Sequence, residues 1–269
     1  MINVIKADGS RQLFEKYKIV RTCLRMKASE DAAEEIADKI SRQVYNGITT
    51  KQILKMIFRY ISEYRPEIKH QINLREAVSL LRPKPDFEQF IALLLKKEGY
   101  DVKTNKIVAG KCVEHEIDAI ASKGNEKLYV EVKHHYQPHT YTGVGVFLEA
   151  QATFEDLIES NSNFSKAMVV TNAKLSEHAK RYAECKNIGA IGWRYPEEGG
   201  LEVMIENNEL YPITLIKGLD AATQIRLADN GFILLEQVAG VDFKKLSRLA
   251  KVGKSKAKEI VRKANEILV

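Results

Sequence analysis

Two acidic side chains and a lysine stand on a pair of strand-like runs joined by a short turn. The turn is Lys123-Gly124-Asn125-Glu126, and Gly-Asn between alternating runs is a signal for a two-residue β-hairpin connection. If Lys123 faces Glu126, the register sets Asp118 directly opposite Glu131. Side chains alternate along a strand, so Lys133 projects from the same face as Glu131. Two carboxylates held face to face repel each other unless a cation lies between them. Mg²⁺ or Mn²⁺ would reverse that sign, because such ions take oxygen ligands and commonly use one or two carboxylates plus waters and phosphate oxygens. A metal so held could acidify a water and neutralise charge on a phosphodiester, with Lys133 as an electrostatic aid or a proton-transfer partner. The same register puts Glu116 opposite Lys133, and on spacing alone these four charges could equally form surface ion pairs of little energetic value. The apolar surroundings, EIDAIA and LYVEVKHH, favour the first reading, since carboxylates on a half-buried strand pair need a partner.

The elements that position this hairpin follow from periodicity. Asp86 with Gln89 reads as a capping box, and Phe87, Phe90, Ile91, Leu94 and Leu95 form one helical stripe ending near Gly99. Beyond the hairpin come a helix around FLEAQATFEDLIE, an apolar strand AMVVTN, a helix from about Leu175 and a strand AIGW. This alternation predicts a mixed α/β sheet with covering helices. Upstream, VIKADGSRQLF reads as a short hairpin, and Ile36, Ile40 and Val44 stand at helical spacing. Arg82-Pro83-Lys84-Pro85 breaks any helix and marks a boundary. From about Leu210 the pattern is helical, punctuated by glycine turns at Gly218, Gly231 and Gly253.

The 269 residues, 45% apolar, are enough for ordinary packed cores. No apolar run approaches the roughly 18 to 20 residues that span a bilayer, and MINVIKADGS has no secretory pattern, so a cytoplasmic protein without a membrane partner is expected. Cys23, Cys112 and Cys185 have neither CxxC spacing nor a matching His cluster, and read as reduced, mostly buried thiols. The net charge is +6, and residues 241–269 alone, with nine Lys or Arg against three acids, carry all of it. Attraction to a polyanion is therefore concentrated at the C-terminal end.

Over roughly residues 84–205 the sequence resembles the Mrr-like restriction endonucleases of the PD-(D/E)xK superfamily. Glu88, Gly99-Tyr100, Asp118, Glu131-Val132-Lys133, Gln151 and VVTN recur in the order that family shows. The resemblance implies that Asp118 and Glu131 bind metal, that Lys133 is catalytic, and that Glu88 and Gln151 are accessory active-site residues. His134, His135 and His139 lie close by and read as DNA-facing or structural rather than as ligands.

The two ends carry further resemblances. VIKADGSRQLF, Lys18-Ile19 and GITT are similar to the ATP-cone domain, a regulatory nucleotide-binding module. Its pattern implies that Lys6 and Lys18 contact phosphates of ATP or dATP, with Gly9 and Thr50 near the nucleotide. Ala7 and Gln12 depart from it, where a basic and an acidic residue are usual. LAKVGKSKAKEIVRKA resembles a helix-hairpin-helix motif, with a degenerate earlier copy in LIKGLDAATQIRLADNGF. A turn before a helix start exposes amides and the positive end of the helix dipole, which suit a phosphate. Lys251, Gly253, Lys254, Lys256 and Lys258 are the candidate DNA contacts.

The expected fold is multidomain, α and α/β. It comprises an α-rich ATP-cone-like domain over 1–82, a restriction-endonuclease-like mixed α/β core over 83–207 and a small all-α helix-hairpin-helix domain over 208–269. The expected activity is magnesium-dependent endodeoxyribonuclease cleavage, restriction-like and responsive to ATP or dATP, and a homodimer is compatible with cutting both strands. Two alternatives remain at this stage: a structure-specific DNA repair nuclease or junction resolvase, and a non-catalytic, nucleotide-responsive DNA-binding protein.

Overall fold

The computed structural model describes residues 2–66, 68 and 71–268. They divide into two compact units, one ending at Gln71 and one running from Ile72 to Leu268.

In the first unit β1 (Asn3–Ile5) and β2 (Arg11–Leu13) pair antiparallel, as the VIKADGSRQLF pattern predicts. Helices α1 (Tyr17–Arg25), α2 (Glu30–Ser41) and α3 (Thr50–Tyr64) follow. Ser29 caps α2, and Thr49 caps α3 in a capping box with Gln52. Their apolar stripes meet in one core that includes Ile19, Ile36, Ile40, Ile57 and Ile61.

The second unit opens with α4 (Leu74–Ser79) and a kinked turn over Pro83–Phe87, then α5 (Glu88–Lys97). Asp86 does not cap α5. Its carboxylate is gripped by Arg82, Nε to Oδ2 at 2.7 Å and Nη2 to Oδ1 at 2.8 Å, and this paired, charge-assisted contact displaces the weaker cap.

Strands β3 (Asp101–Ala109), β4 (Glu114–Lys123) and β5 (Glu126–Lys133) form an antiparallel meander. A short strand β6 (Tyr141–Thr142) leads into α6 (Val144–Glu159) and β7 (Lys166–Thr171), which lies parallel to β5. Then come β8 (Lys174–Leu175), α7 (Glu177–Cys185) and β9 (Gly189–Ile191). The main sheet has the order β3-β4-β5-β7-β9, antiparallel on one side and parallel on the other. Helix α5 and the turn before it cover one face through Phe87, Phe90 and Leu94, while α6 and α7 cover the other through Phe147, Leu157 and Ala179. This is the mixed α/β sheet with covering helices that the sequence predicts.

Helix α8 (Leu201–Asn207) leads into the C-terminal helices α9 (Ala221–Asp229), α10 (Leu235–Val238), α11 (Phe243–Leu249) and α12 (Lys254–Leu268). They enclose their own core around Leu227, Leu235, Leu246 and Ile260. Helix α4 is shared by both cores, with Val78 in the sheet core and Ala77 among the C-terminal helices. Thr214 Oγ1 donates to the Ala77 carbonyl at 2.6 Å, and the Ile72 amide donates to the Leu215 carbonyl at 2.9 Å. No helix of the described residues is long and apolar enough to cross a membrane.

The cysteines differ from expectation. Cys23 is buried in the first core, which pushes its thiol pKa up to about 11, but Cys112 and Cys185 are exposed. Cys112 lies in the β3–β4 turn and Cys185 at the end of α7, where neither position faces a core.

Candidate active site

The hairpin of β4 and β5 has the register that its turn dictates. Gly124 takes a left-handed φ of 58° while Asn125 does not, the pattern of a turn with glycine at its first central position. Lys123 pairs with Glu126, and the ladder continues to Ala119 with Val130. It stops one pair short of the direct Asp118–Glu131 opposition that the sequence predicts. Asp118 Oδ2 instead accepts the Val132 amide at 2.9 Å, drawing its carboxylate into the space between the strands.

The cause is a local slip in β4. Ile117 packs in the core beneath α6 while Ala119 and Ala121 pack in the core beneath α5, so the in-out alternation changes phase at Asp118. On β3 the pairing skips Asn105, which lies between the partners of Ala119 and Ile117 and has a left-handed φ of 50°. The irregularity therefore crosses both strands at the level of the aspartate.

Four carboxylates converge here. Asp118 is 6% exposed and Glu88, at the start of α5, only 2%. Burial and then the charge of Asp118 push the Glu88 pKa up to about 7. Glu131 is half-buried, and burial followed by Asp118 raises its pKa as well. The Tyr129 phenol opposes that rise by donating to Glu131 Oε2 at 2.9 Å, as does the charge of Lys133. Lys133 itself is exposed, two residues beyond Glu131, with its backbone paired to Thr171 of β7. Glu116 is the exposed fourth acid.

A lysine that the sequence reading did not single out sits among them. Lys84 Nζ lies 3.0 Å from Asp118 Oδ1, 3.1 Å from Glu88 Oε1 and 3.2 Å from Glu116 Oε1. The contact with Glu88 is an ion pair rather than a well-formed hydrogen bond, and both Glu88 oxygens are buried without a hydrogen-bond donor. Burial lowers the Lys84 pKa, but its attraction to Asp118, Glu88 and Glu116 outweighs that and the net shift is upward. Lys84 stands in the Pro-Lys-Pro break just before α5, and its extended backbone gives no helical spacing to Glu88 that could have flagged it. Tyr129 was also missed, although it stands two residues from Glu131 on the same strand face.

The remaining expected site residues are more dispersed. Gln151 on α6 donates to Glu155 Oε1 at 2.8 Å. His134 stacks edge-on against Phe87 and Tyr136 and approaches the Val78 carbonyl of α4 at 3.4 Å. His135 is clamped by buried Asn172, whose amide group exchanges two 2.8 Å bonds with the His135 backbone. Arg75 Nη1 lies 3.2 Å from His139 Nδ1. These histidines thus hold the chain that leaves the active strand.

The acidic cluster suits an oxygen-seeking dication. Glu88 has buried oxygens without hydrogen-bond donors, and Glu88 and Glu131 have pKa values raised by desolvation and by Asp118, so added positive charge would be favourable. Among the described residues no group of three or more His, Cys, Asp or Glu side chains is arranged to hold a metal by itself. A metal bound by Asp118 and Glu131 would complete its shell with water and phosphate oxygens, as magnesium commonly does.

In the first unit the Ile5–Thr49 bridge brings the end of β1 beside the start of α3. Lys6 and Thr50 flank that junction, and Gly9, with φ 80°, lies in the β1–β2 turn. Lys18 is in the first turn of α1, its ammonium paired with Glu15.

At the C-terminal end the left-handed residue of the turn before α12 is Lys251, φ 49°, rather than Gly253. Gly253 leaves open space where a Cβ would sit. Lys251, Lys254 and Lys258 are exposed. Lys256 is instead half-buried, its ammonium committed to Asp220 and to Thr223 Oγ1 at 3.0 Å. In the earlier copy of the motif Gly218 has φ 81°, and Asp220 caps α9 through the Thr223 amide at 2.9 Å.

Residues 82–192 match the restriction endonuclease family of the Mrr catalytic type, residues 2–77 the ATP cone domain, and residues 211–268 the AF1548-like C-terminal family. An uncharacterized protein of Archaeoglobus fulgidus is 36% identical over 178 residues, which cover 66% of this chain and 99% of that protein. The crystal structure of a protein of unknown function, AF1548, superposes with a TM-score of 0.59 at 34% identity, covering 73% of this chain and 98% of that one.

Proposed function

Because the chain belongs to the Mrr-like restriction endonucleases, with an ATP cone ahead of the catalytic domain and an AF1548-like domain behind it, we propose that it is a divalent-metal-dependent endodeoxyribonuclease. The observation that carries this reading is the convergence of Asp118, Glu131 and Glu88 at one end of a buried hairpin, with Lys133 beside them. Asp118 and Glu131 are the ligands for Mg²⁺ or Mn²⁺. Once bound, the ion supplies positive charge to the scissile phosphate and lowers the pKa of a water.

The chain's own residues do the rest. The Val132 amide fixes the Asp118 carboxylate, and the Tyr129 phenol fixes that of Glu131, so both are oriented before substrate arrives. Lys133, exposed at the rim, reaches the phosphate or the attacking water and either stabilises charge or passes a proton. Glu88 deepens the negative potential that draws the cation in, and Gln151 positions the substrate from α6.

Functionally the chain divides at 1–82, 83–207 and 208–269. The first part senses ATP or dATP through Lys6, Gly9, Lys18 and Thr50. The last grips the DNA backbone as a helix-hairpin-helix, using the amides at Gly253 and the ammonium groups of Lys251, Lys254 and Lys258, with Lys256 tying the two motif copies together. Two copies of the chain would cut both strands.

The test is incubation of the full chain with supercoiled plasmid in Mg²⁺, Mn²⁺ or EDTA, with and without ATP or dATP. Nicked and linear products that need the metal and vary with nucleotide support the reading. Undamaged plasmid under every condition, or cleavage that EDTA does not suppress, contradicts it.

A further inference from the structure

Both Asp118 oxygens are engaged. Oδ2 accepts the Val132 amide, and Oδ1 holds Lys84 Nζ at 3.0 Å. The Val132 donor is a backbone amide held in place by strand β5, so this side of the carboxylate is fixed. The lysine can move. Its side chain is 55% exposed, it rises from an extended residue between Pro83 and Pro85, and its third carboxylate partner, Glu116, is 63% exposed at the rim. An ammonium and a dication on one carboxylate oxygen repel each other strongly in a partly buried site, so binding of the ion disfavours the lysine there.

We propose that Lys84 is an exchangeable internal counter-ion of the metal site: its ammonium holds the place of the metal on Asp118 Oδ1, and divalent-ion binding expels it toward Glu116 and solvent. The inference rests on the reading of Asp118 and Glu131 as ligands. It explains why a second lysine is built against Glu88 and Asp118 in addition to Lys133, whose charge acts on Glu131. Without Lys84 or a metal, Glu88 and Asp118 would be left as mutually repelling buried acids. Lys84 neutralises them while the metal is absent and gives way when it arrives. The expelled ammonium then stands at the mouth of the site beside Glu116, where it is free to meet a DNA phosphate.

Metal binding can be read without substrate, by calorimetric titration of the full chain with Mn²⁺. Lys84→Gln should bind Mn²⁺ about tenfold more tightly than wild type, because removing a competing charge at contact distance acts directly on the ligand oxygen. Lys133→Gln removes the same charge without freeing Asp118 and should gain clearly less. Lys84→Arg should stay close to wild type. Lys84→Gln binding no tighter than wild type, or no tighter than Lys133→Gln, overturns the proposal. Asp118→Asn separates the two readings. If it binds as wild type, the ligand assignment itself fails; if it loses the ion while Lys84→Gln matches wild type, only the counter-ion role fails. A measurement on the wild-type chain avoids any folding defect of the variants. Amine-selective labelling followed by mass spectrometry should show Lys84 becoming several-fold more reactive when Mg²⁺ is added, and unchanged reactivity overturns the proposal.

Discussion

Asp118 accepts the amide hydrogen of Val132, the residue between Glu131 and Lys133. One bond from a backbone amide to the Asp118 carboxylate therefore sets an acid on one strand against an acid and a lysine on the next, whatever the rotamers of the longer side chains do. Such anchoring matters because a catalytic constellation only tenths of an ångström out of place loses much of its effect.

Tyr129 should matter to the reaction although it is not one of the charged groups. Its phenol orients Glu131 with a bond to an ionised partner, of a class worth roughly 1.5 kcal/mol or more. Tyr129→Phe is expected to slow plasmid nicking about tenfold, by the usual 1.4 kcal/mol per decade. The melting temperature should fall by only a few degrees, because the ring packing is kept. Single-turnover nicking rates check this, and a rate equal to wild type would show that Glu131 is oriented by something else.

His134 links stability to acidity. Burial pushes its pKa down to about 4, whereas in the unfolded chain it titrates near the usual histidine value of about 6.5. Between those values the unfolded state binds a proton that the folded state refuses. The stability contributed by a neutral His134 is therefore complete above about pH 6.5 and declines as pH falls toward 4. Glu88, whose pKa is raised to about 7, acts in the opposite direction over an overlapping range. The comparison of wild type with His134→Phe isolates the histidine. The melting-temperature gap should shift in favour of the variant as pH falls from 7 to 4.5, and a gap independent of pH would contradict the assignment.

At the C-terminal end the lysines divide by their engagement. Lys251→Ala or Lys254→Ala should weaken binding to DNA of any sequence and reduce the salt dependence by about one unit of slope each. Lys256→Ala should leave the salt slope unchanged, since its ammonium already faces Asp220, and should lower thermal stability instead. Fluorescence anisotropy over a series of salt concentrations distinguishes these. Slopes equal to wild type for both Lys251→Ala and Lys254→Ala would remove this surface from the DNA interface.

The hairpin was legible in the sequence because a two-residue turn leaves one register, and Lys123–Glu126 through Ala119–Val130 follow it. The sheet and its covering helices were legible from periodicity for the same reason: each is a local pattern. The phase slip at Asp118 was not legible, because it involves Asn105 on a neighbouring strand rather than anything within EIDAIA. Asp86 reads as a helix cap until Arg82 is seen to take it, and Arg82 is itself held from the far side by Asp229, Nη2 to Oδ1 at 2.7 Å. Lys84 shows the same limit, since its meeting with Asp118 joins residues 34 apart through the packing of α5 on the sheet. Local chemistry reveals the ligands, while their counter-charges come from the tertiary fold.

The most direct test of the central claim is a paired measurement on Asp118→Asn, which keeps the size of the side chain and removes its charge. DNA affinity and plasmid nicking are followed in the same Mg²⁺ buffer alongside wild type. The expected result is DNA affinity within about twofold of wild type with nicking reduced by at least about a thousandfold, the scale of a lost electrostatic anchor in an active site. Nicking by Asp118→Asn at the wild-type rate would mean that the hairpin carboxylates are not the catalytic centre.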